Sequence, residues 1–133
     1  MIVKTLEDIM GTEEDIKEKT WNSRRFLLKK DNVGFSMHDT ILYAGMETSM
    51  WYKNHIEAVY TIEGEGILED LTNEKTYTLK PGTMYVLNGQ EKHKVIAKKD
   101  LRMICVFNPP VTGQEVHDED GAYPLLDDDG VAS

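Results

Sequence analysis

The fold is decided by residues 45–64, GMETSMWYKNHIEAVYTIEG, in which two glycines bracket a run of strand-forming residues. Residues 57–63 are mainly of types that favour β-strands, and glycine accepts the backbone angles that tight turns require. Glu57 opens this run. The stretch therefore predicts one strand of an antiparallel sheet, flanked by glycine turns, with an acidic side chain at its start.

Similar short runs, separated by Gly, Asn and Pro, continue from Arg24 onward. We predict strands over Arg24–Leu28, Gly34–Ala44, Thr48–Tyr52, Glu57–Glu63, Gly66–Leu71, Lys75–Leu79, Met84–Leu87, Lys92–Ala97 and Leu101–Phe107. The last strand is expected to end at residues 108–110, Asn-Pro-Pro, because proline cannot donate a hydrogen bond within a sheet. Many short strands at close spacing predict an all-β sandwich or barrel.

The two ends of the chain are polar. Residues 1–20 contain weak helix-start signals at Thr5 to Asp8 and at Thr12 to Asp15, which predict a short helix. Residues 111–133 are expected to form an arm and a frayed tail, since the last residues offer few apolar groups. A length of 133 residues fits one domain, with the β-barrel over residues 24–110.

Composition excludes several classes of protein. The chain has 24 acidic and 15 basic side chains, a formal charge of −9, and its basic residues are scattered, so no nucleic-acid partner is expected. Cys105 is the single cysteine and cannot form an internal disulfide. No apolar run approaches the roughly 18 residues of a membrane span. No signal-peptide pattern is visible either, and we expect a cytoplasmic protein without a membrane partner.

A second glycine-led segment follows the first, with Gly82 eleven residues before His93. Together with residues 45–64, this spacing resembles the two motifs of the cupin superfamily, of which the first reads G-x5-H-x-H-x3-E-x6-G. The resemblance implies a cupin-type jelly-roll barrel whose interior holds a divalent metal. Trp51 and Lys53 stand where that first motif has its two histidines.

Departures from the cupin pattern leave the metal site incomplete. Glu57 and His93 keep two ligand positions, whereas Asn88 and Gln90 replace the Pro and Gly of the second motif. Either the barrel is metal-free and the two retained side chains only form hydrogen bonds, or another residue completes the set. Tyr85 is the candidate, since it points to one face of a strand that leads toward His93. Oxygen and imidazole ligands suit iron, manganese or zinc.

Nearly the whole chain resembles the ectoine synthase family. The matching blocks are Met1-Ile2-Val3, Gly34-Phe35-Ser36 with His38 and Thr40, Tyr43-Ala44-Gly45, residues 52–60, residues 81–87, Cys105 to Pro110 and residues 113–121. The resemblance implies a hydro-lyase of compatible-solute biosynthesis that converts N4-acetyl-L-2,4-diaminobutyrate to ectoine and water. It also implies iron(II), Fe(2+), bound by Glu57, Tyr85 and His93, and it implies a homodimer.

The implied cyclisation needs an acid and a base, because an amine must lose a proton and a hydroxide leaving group must gain one. The candidates are Tyr52, His55 and Glu115. Arg25 is the candidate partner of the substrate carboxylate. Family positions that line the substrate cavity are Trp21, Thr40, Cys105 and Phe107. Glu115 and His117 share one side of the extended arm and are candidates to close over the barrel mouth.

Structural alternatives remain open for these residues. Tyr52 can cap the core with its hydroxyl in water, and His55 can orient Glu57 by a hydrogen bond. Cys105 and Phe107 alternate along the last strand as core residues do, and Glu115 and His117 can belong to a solvated acidic loop. Two other functions also stay open: a non-catalytic cupin module that binds a small zwitterionic metabolite, and an iron-dependent dioxygenase.

Overall fold

The computed structural model describes residues 1–113. Within this range the elements follow in the order α1 Leu6–Ile9, β1 Asp15–Lys17, β2 Trp21–Leu27, a 3-10 helix Lys29–Asp31, β3 Ser36–Leu42, β4 Glu47–Met50, β5 Ile56–Glu63, β6 Gly66–Asp70, β7 Lys75–Leu79, β8 Met84–Leu87, β9 His93–Ala97 and β10 Leu101–Asn108. The predicted strands are present, and β10 ends at Asn108, directly before the two prolines.

The strands form two antiparallel sheets. The larger sheet has the order β1-β2-β3-β10-β5-β8, and the smaller has the order β4-β9-β6-β7. Several neighbouring strands are far apart in sequence, as in β10 beside β3 and β5, which is the crossover pattern of a jelly roll. The predicted all-β jelly-roll class is confirmed.

Alternate residues of the strands fill the space between the sheets. In β10 the buried positions Leu101, Met103, Cys105 and Phe107 alternate with half-buried ones. Other core side chains are Leu42, Val59, Leu68, Leu79, Leu87, Val95 and Ala97, which come from β3, β5, β6, β7, β8 and β9. The core is therefore the interior of the barrel, and polar side chains at the same alternating positions must point into it.

The second glycine of the opening stretch is required by the packing of two loops. Gly64 connects β5 to β6 with φ of +99°, and a Cβ atom there would overlap the carbonyl oxygen of Asp100. Gly45 also has positive φ, +80°, but open space surrounds its missing side chain. The glycine at 64 is thus fixed by both backbone angle and space, and that at 45 by backbone angle alone.

The N-terminal segment agrees with the sequence in part. Thr5 begins α1 with a capping box, in which its hydroxyl accepts from the Asp8 backbone N–H at 3.3 Å and its own N–H donates to the Asp8 carboxylate at 2.8 Å. The second helix-start signal, at Thr12 to Asp15, is wrong, because β1 begins there and pairs with β2. The Asp15 carboxylate accepts hydrogen bonds from the Gly11 N–H and the Asn22 amide, and these bonds hold the segment against the sheet.

A buried ion-pair network covers the outer face of the larger sheet. The Asp39 carboxylate accepts from Arg24 and from Arg102, each at 2.7 Å, and Arg102 also contacts Glu63 at 3.4 Å. The side chains of Arg24 and Asp39 are only 7% and 6% exposed. Burial alone would raise the pKa of Asp39, but the hydrogen bonds from Arg102 and Arg24 hold it below its ordinary value.

Candidate active site

A pocket lies between the two sheets. The predicted site residues that line it are Trp21, Thr40, Tyr52, Glu57, Tyr85, Cys105 and Phe107. Apolar side chains such as Val59 and Val95 complete its walls. Of the other predicted residues, His93, His55 and Arg25 line neighbouring cavities. Glu115 and His117, together with the rest of the predicted arm beyond residue 113, lie outside the described residues.

Glu57 is a buried carboxyl group at the inner face of β5. It is 5% exposed and lies opposite Phe107 in the pairing of β5 with β10. Burial raises the pKa of Glu57 to about 8, and a hydrogen bond from the Cys105 thiol offsets part of that rise. This carboxyl group is buried beside a weak thiol donor, an arrangement typical of a position that a cation or substrate completes.

Tyr85 and Cys105 lie beside Glu57. Burial of the phenol raises the pKa of Tyr85 well above its ordinary value, and the nearby Glu57 and Cys105 raise it further. Burial likewise raises the pKa of the Cys105 thiol, although a hydrogen bond with Thr40 opposes this. Cys105 therefore acts as a neutral hydrogen-bonding group between Thr40 and Glu57 and not as a nucleophile.

His93 presents one ring nitrogen as a free acceptor. The residue is 1% exposed, and its Nδ1 lies 3.2 Å from the backbone carbonyl oxygen of Glu91. Since a carbonyl only accepts, Nδ1 carries the hydrogen and Nε2 presents its lone pair. Nε2 is buried without a hydrogen-bond partner. Burial also lowers the pKa of His93, so the ring has the neutral form that metals bind.

Tyr85 stands between the Glu57 pocket and a second cavity that contains His93. The second cavity, beside β7 and β8, is lined by Tyr85, His93, Asp70 and Glu91 among others. Within residues 1–113 no group of three or more His, Cys, Asp or Glu side chains is arranged to hold a metal ion. The candidate ligands Glu57, Tyr85 and His93 include only two side chains of those types. Together they offer a carboxylate, a phenol and an unpartnered imidazole nitrogen, which fit a divalent cation such as iron(II).

The residues that replace the cupin histidines bind one another at the barrel rim. The Trp51 indole N–H donates to the Gln90 carbonyl at 2.7 Å, and the Gln90 amide donates to the Lys53 carbonyl at 2.9 Å. The ammonium groups of Lys53 and Lys92 lie 4.5 and 4.3 Å from the centre of the Trp51 ring. The two positions that hold histidine ligands in other cupins thus form contacts between the two motif segments here.

Tyr52 and His55 both pack against the ring of Phe107. Tyr52 is 3% exposed and meets the Phe107 ring edge-on, with ring centres 5.2 Å apart. Its hydroxyl donates to the Met50 sulfur inside the pocket. His55 meets Phe107 at 5.8 Å but lines a separate cavity at the barrel end. This arrangement favours Tyr52 over His55 for direct proton transfer to a molecule in the pocket.

Arg25 does not line the pocket. It is 4% exposed, its Nη1 donates to the Gly113 carbonyl at 3.1 Å, and it lines an adjacent cleft with Lys29 and Lys30. In the pairing of β2 with β3 it lies opposite His38, which does line the pocket. Direct pairing of Arg25 with a substrate carboxylate therefore stays a prediction.

Several residues that line the pocket were not among the predicted site residues. Three of them are Ser23, His38 and Met50. Burial, followed by the charge of Arg25, lowers the pKa of His38 to about 3, so its ring is neutral. The alternation of strands provides a signal for all three, because each lies two positions from a predicted residue, Trp21, Thr40 or Tyr52.

Comparison with known proteins identifies the family. The family model described as "Ectoine synthase" matches residues 1–127. The L-ectoine synthase of Oceanobacillus iheyensis is 63% identical, with 95% of this chain and 98% of that protein aligned. A crystal structure of ectoine synthase from P. lautus is 60% identical, covers 95% of this chain and 91% of its own, and superposes with a TM-score of 0.86. The chain belongs to the ectoine synthase family.

Members of the ectoine synthase family share the cupin fold with more distant proteins. A cupin domain of a transcriptional regulator from Enterobacter cloacae is 17% identical, covers 69% of this chain and 99% of its own, and has a TM-score of 0.58. That likeness shows the fold alone. The expected enzyme class, a hydro-lyase of ectoine biosynthesis, is confirmed by the ectoine synthase relatives.

Residues 1–113 contain no helix that is long and apolar enough to span a membrane. The expected cytoplasmic location stays a prediction.

Proposed function

We propose that the pocket between the sheets binds N4-acetyl-L-2,4-diaminobutyrate and closes it into ectoine with loss of water. The observation that carries the proposal is the group of buried Glu57 and Cys105 with half-buried Tyr85 inside a barrel of the ectoine synthase family. Apolar walls from Trp21 and Phe107 suit the short aliphatic chain of this substrate. These apolar walls also disfavour water beside the substrate, which favours ring closure over hydrolysis.

Tyr52 is the residue best placed to move a proton in this reaction. The substrate α-amine attacks its own amide carbonyl, so a C–N bond forms, and the carbonyl oxygen then leaves as water. The Tyr52 hydroxyl, which lies in the pocket, donates a proton to the leaving oxygen. The proton that the amine releases restores Tyr52, and the reaction needs no oxidant or reductant.

We further propose that Glu57, Tyr85 and His93 hold iron(II). A divalent cation at this position supplies Lewis-acid polarisation of the amide carbonyl, worth several kcal/mol. The unpartnered Nε2 of His93 supports this set, because a buried lone pair without a donor is costly. The raised pKa of Glu57 supports it too, since a carboxyl group that is hard to ionise gains most from a cation.

The experiment is an anaerobic incubation of the purified protein with iron(II) and the substrate, followed by chromatography of ectoine. A parallel sample is treated with a chelator. Ectoine only in the iron sample supports both proposals, and ectoine in both samples removes the metal from the mechanism. No ectoine in either sample contradicts the proposed function. Ectoine formed without oxygen also contradicts a dioxygenase.

We also propose that the chain forms a homodimer through the free edge of the larger sheet. β8 is the last strand of that sheet, and its outward residues Met84 and Val86 are 58% and 39% exposed. Light scattering is expected to give twice the chain mass, and Met84→Lys is expected to lower it. Tyr77→Lys, at a 48% exposed position on the edge strand of the smaller sheet, is the matched control. A monomeric parent contradicts the proposal.

A further inference from the structure

His38 is a buried histidine in the wall of the pocket. It is 2% exposed, and its ring packs against that of Phe107 with ring centres 5.4 Å apart. Within residues 1–113, its Nε2 is buried with no hydrogen-bond partner. A buried polar atom without a partner costs free energy, and a molecule bound in the pocket removes that cost if it supplies the partner.

One row of inward-facing residues crosses the larger sheet and includes His38. Successive pairings of β2, β3, β10, β5 and β8 align the residues Arg25, His38, Cys105, Val59 and Tyr85. Neighbouring strands lie about 4.8 Å apart, so the backbones at His38 and Tyr85 are about 14 Å apart. His38 and the proposed cation ligand Tyr85 therefore line different sides of the pocket.

The side of the pocket at His38 lies next to a positive charge. Arg25 is 4% exposed, and its Nη1 donates to a neutral partner, the Gly113 carbonyl, while its buried Nε has no hydrogen-bond partner among the described residues. Burial, followed by the charge of Arg25, lowers the pKa of His38, so the ring is neutral. A neutral imidazole beside a guanidinium favours an anionic ligand over a cationic one, because like charges repel.

The substrate of the proposed function has polar groups that match both sides of the pocket. Its amide carbonyl is the group that a cation held by Glu57 and Tyr85 would polarise, and its carboxylate lies at the other end of the carbon chain. A carboxylate between apolar walls needs a hydrogen-bond donor. The imidazole of His38 offers one when its hydrogen is on Nε2.

We propose that His38 binds the carboxylate of the substrate through Nε2–H, on the side of the pocket next to Arg25. This inference rests on the proposed function, whose substrate carries that carboxylate. It assigns to His38 the direct contact that the sequence predicted for Arg25. The ring donates a hydrogen bond and transfers no proton, so no bond of His38 forms or breaks.

The first test compares two buried positions that share one feature. Thr61 is 0% exposed and its Oγ1 also has no hydrogen-bond partner within residues 1–113, but Thr61 does not line the pocket, so Thr61→Val is the matched control for His38→Leu. His38→Leu is expected to raise KM about tenfold or more with kcat within about threefold, because a hydrogen bond to a charged group is lost. Thr61→Val is expected to leave KM unchanged.

A conservative variant tests whether the donor itself matters. His38→Gln carries an amide N–H near the position of Nε2 and is expected to keep KM within about threefold of the parent. A KM for His38→Leu equal to that of Thr61→Val overturns the proposal. A KM for His38→Gln as high as that for His38→Leu also overturns it, since loss of shape alone would then explain both.

The second test removes the carboxylate from the ligand. N-acetyl-1,3-diaminopropane has the same chain as the substrate without that group, and its inhibition constant is measured on the parent and on His38→Leu. The two constants are expected to agree within about twofold, because the group that His38 binds is absent. An equal weakening of substrate and inhibitor indicates a change of packing and overturns the role of His38.

The outcomes separate this inference from the proposed function. A parent that forms ectoine, combined with a His38→Leu variant that resembles it, overturns only the role of His38. A parent that forms no ectoine overturns the proposed function, and calorimetry of substrate binding to parent and variant then decides the carboxylate site. Weaker binding to His38→Leu supports the site, whereas equal or absent binding overturns it. Thermal unfolding checks each fold, and His38→Met, which also lacks an N–H donor, replaces a His38→Leu variant that does not fold.

Discussion

The buried carboxyl groups on the two faces of the larger sheet differ in their partners and in the direction of their pKa shifts. On the outer face, Asp39 accepts hydrogen bonds from Arg24 and Arg102, and its pKa is lowered. On the inner face, Glu57 is equally buried but is hydrogen-bonded by the Cys105 thiol, and its pKa is raised to about 8. The carboxylate with complete ionic pairing stabilises the fold, whereas the carboxyl group without it is available to a ligand.

The largest expected effect is on the inner face. Glu57→Gln is expected to lower ectoine formation about 10³-fold and to abolish iron retention, because an amide is a poor ligand compared with a carboxylate. The free energy of unfolding of the metal-free protein is expected to stay the same or rise, since a costly buried acid is removed. Chromatography, metal analysis and urea unfolding measure the three quantities. An iron-bound, fully active Glu57→Gln variant contradicts the assignment.

The next largest effect is expected on the outer face, where a substitution lowers stability and leaves activity unchanged. Asp39→Asn leaves two arginines without their shared carboxylate and is expected to lower the free energy of unfolding by about 3 kcal/mol. Turnover per folded molecule is expected to stay near that of the parent, because Asp39 points away from the pocket. Urea unfolding and an activity assay below the transition measure both. A variant as stable as the parent contradicts the structural role of the network.

The pH dependence of unfolding also tests the role assigned to Asp39. The pKa of Asp39 is lower in the folded protein than its ordinary value of 3.8, so its contribution to stability is complete above that value and is lost as pH falls through the folded pKa. Stability of the parent is therefore expected to decline below about pH 4 more steeply than that of Asp39→Asn. Urea unfolding across pH 2 to 6 measures this slope, and parallel profiles would argue against the assignment.

The smallest effect is expected where the same network reaches solvent. Glu63 contacts Arg102 at 3.4 Å, and its side chain is 68% exposed. Glu63→Gln is expected to lower the free energy of unfolding by less than about 1 kcal/mol, because water and salt screen an exposed pair. The ratio of this loss to that of Asp39→Asn measures how much burial of the carboxylate matters, and equal losses would contradict the comparison.

The sequence predicted the barrel better than its edges. Alternating strand residues and the two glycine turns were sufficient for the two sheets, because both signals are local. The short strand β1 was missed, since it depends on hydrogen bonds of Asp15 with Asn22 in the neighbouring strand. A three-residue strand is too short to carry a periodic signal of its own.

Site residues that share one face of a strand were predicted correctly from the sequence. The position of a residue that depends on a contact with a distant part of the chain was not. Thr40 and Cys105 line the pocket as expected, and alternation would have added His38. The position of Arg25 depends on the Gly113 carbonyl, which is 88 residues away, and no local pattern contains that contact.

The burial of the Asp39 network has a consequence for the ionic strength that the fold tolerates. At 1 M salt, charges in solvent interact over only about 3 Å, and exposed pairs such as Lys30 with Glu14 lose most of their attraction. The side chains of Arg24 and Asp39 are 7% and 6% exposed, so salt screens their attraction much less. The larger sheet thus contains a buried ion pair that concentrated salt weakens less than it weakens an exposed pair.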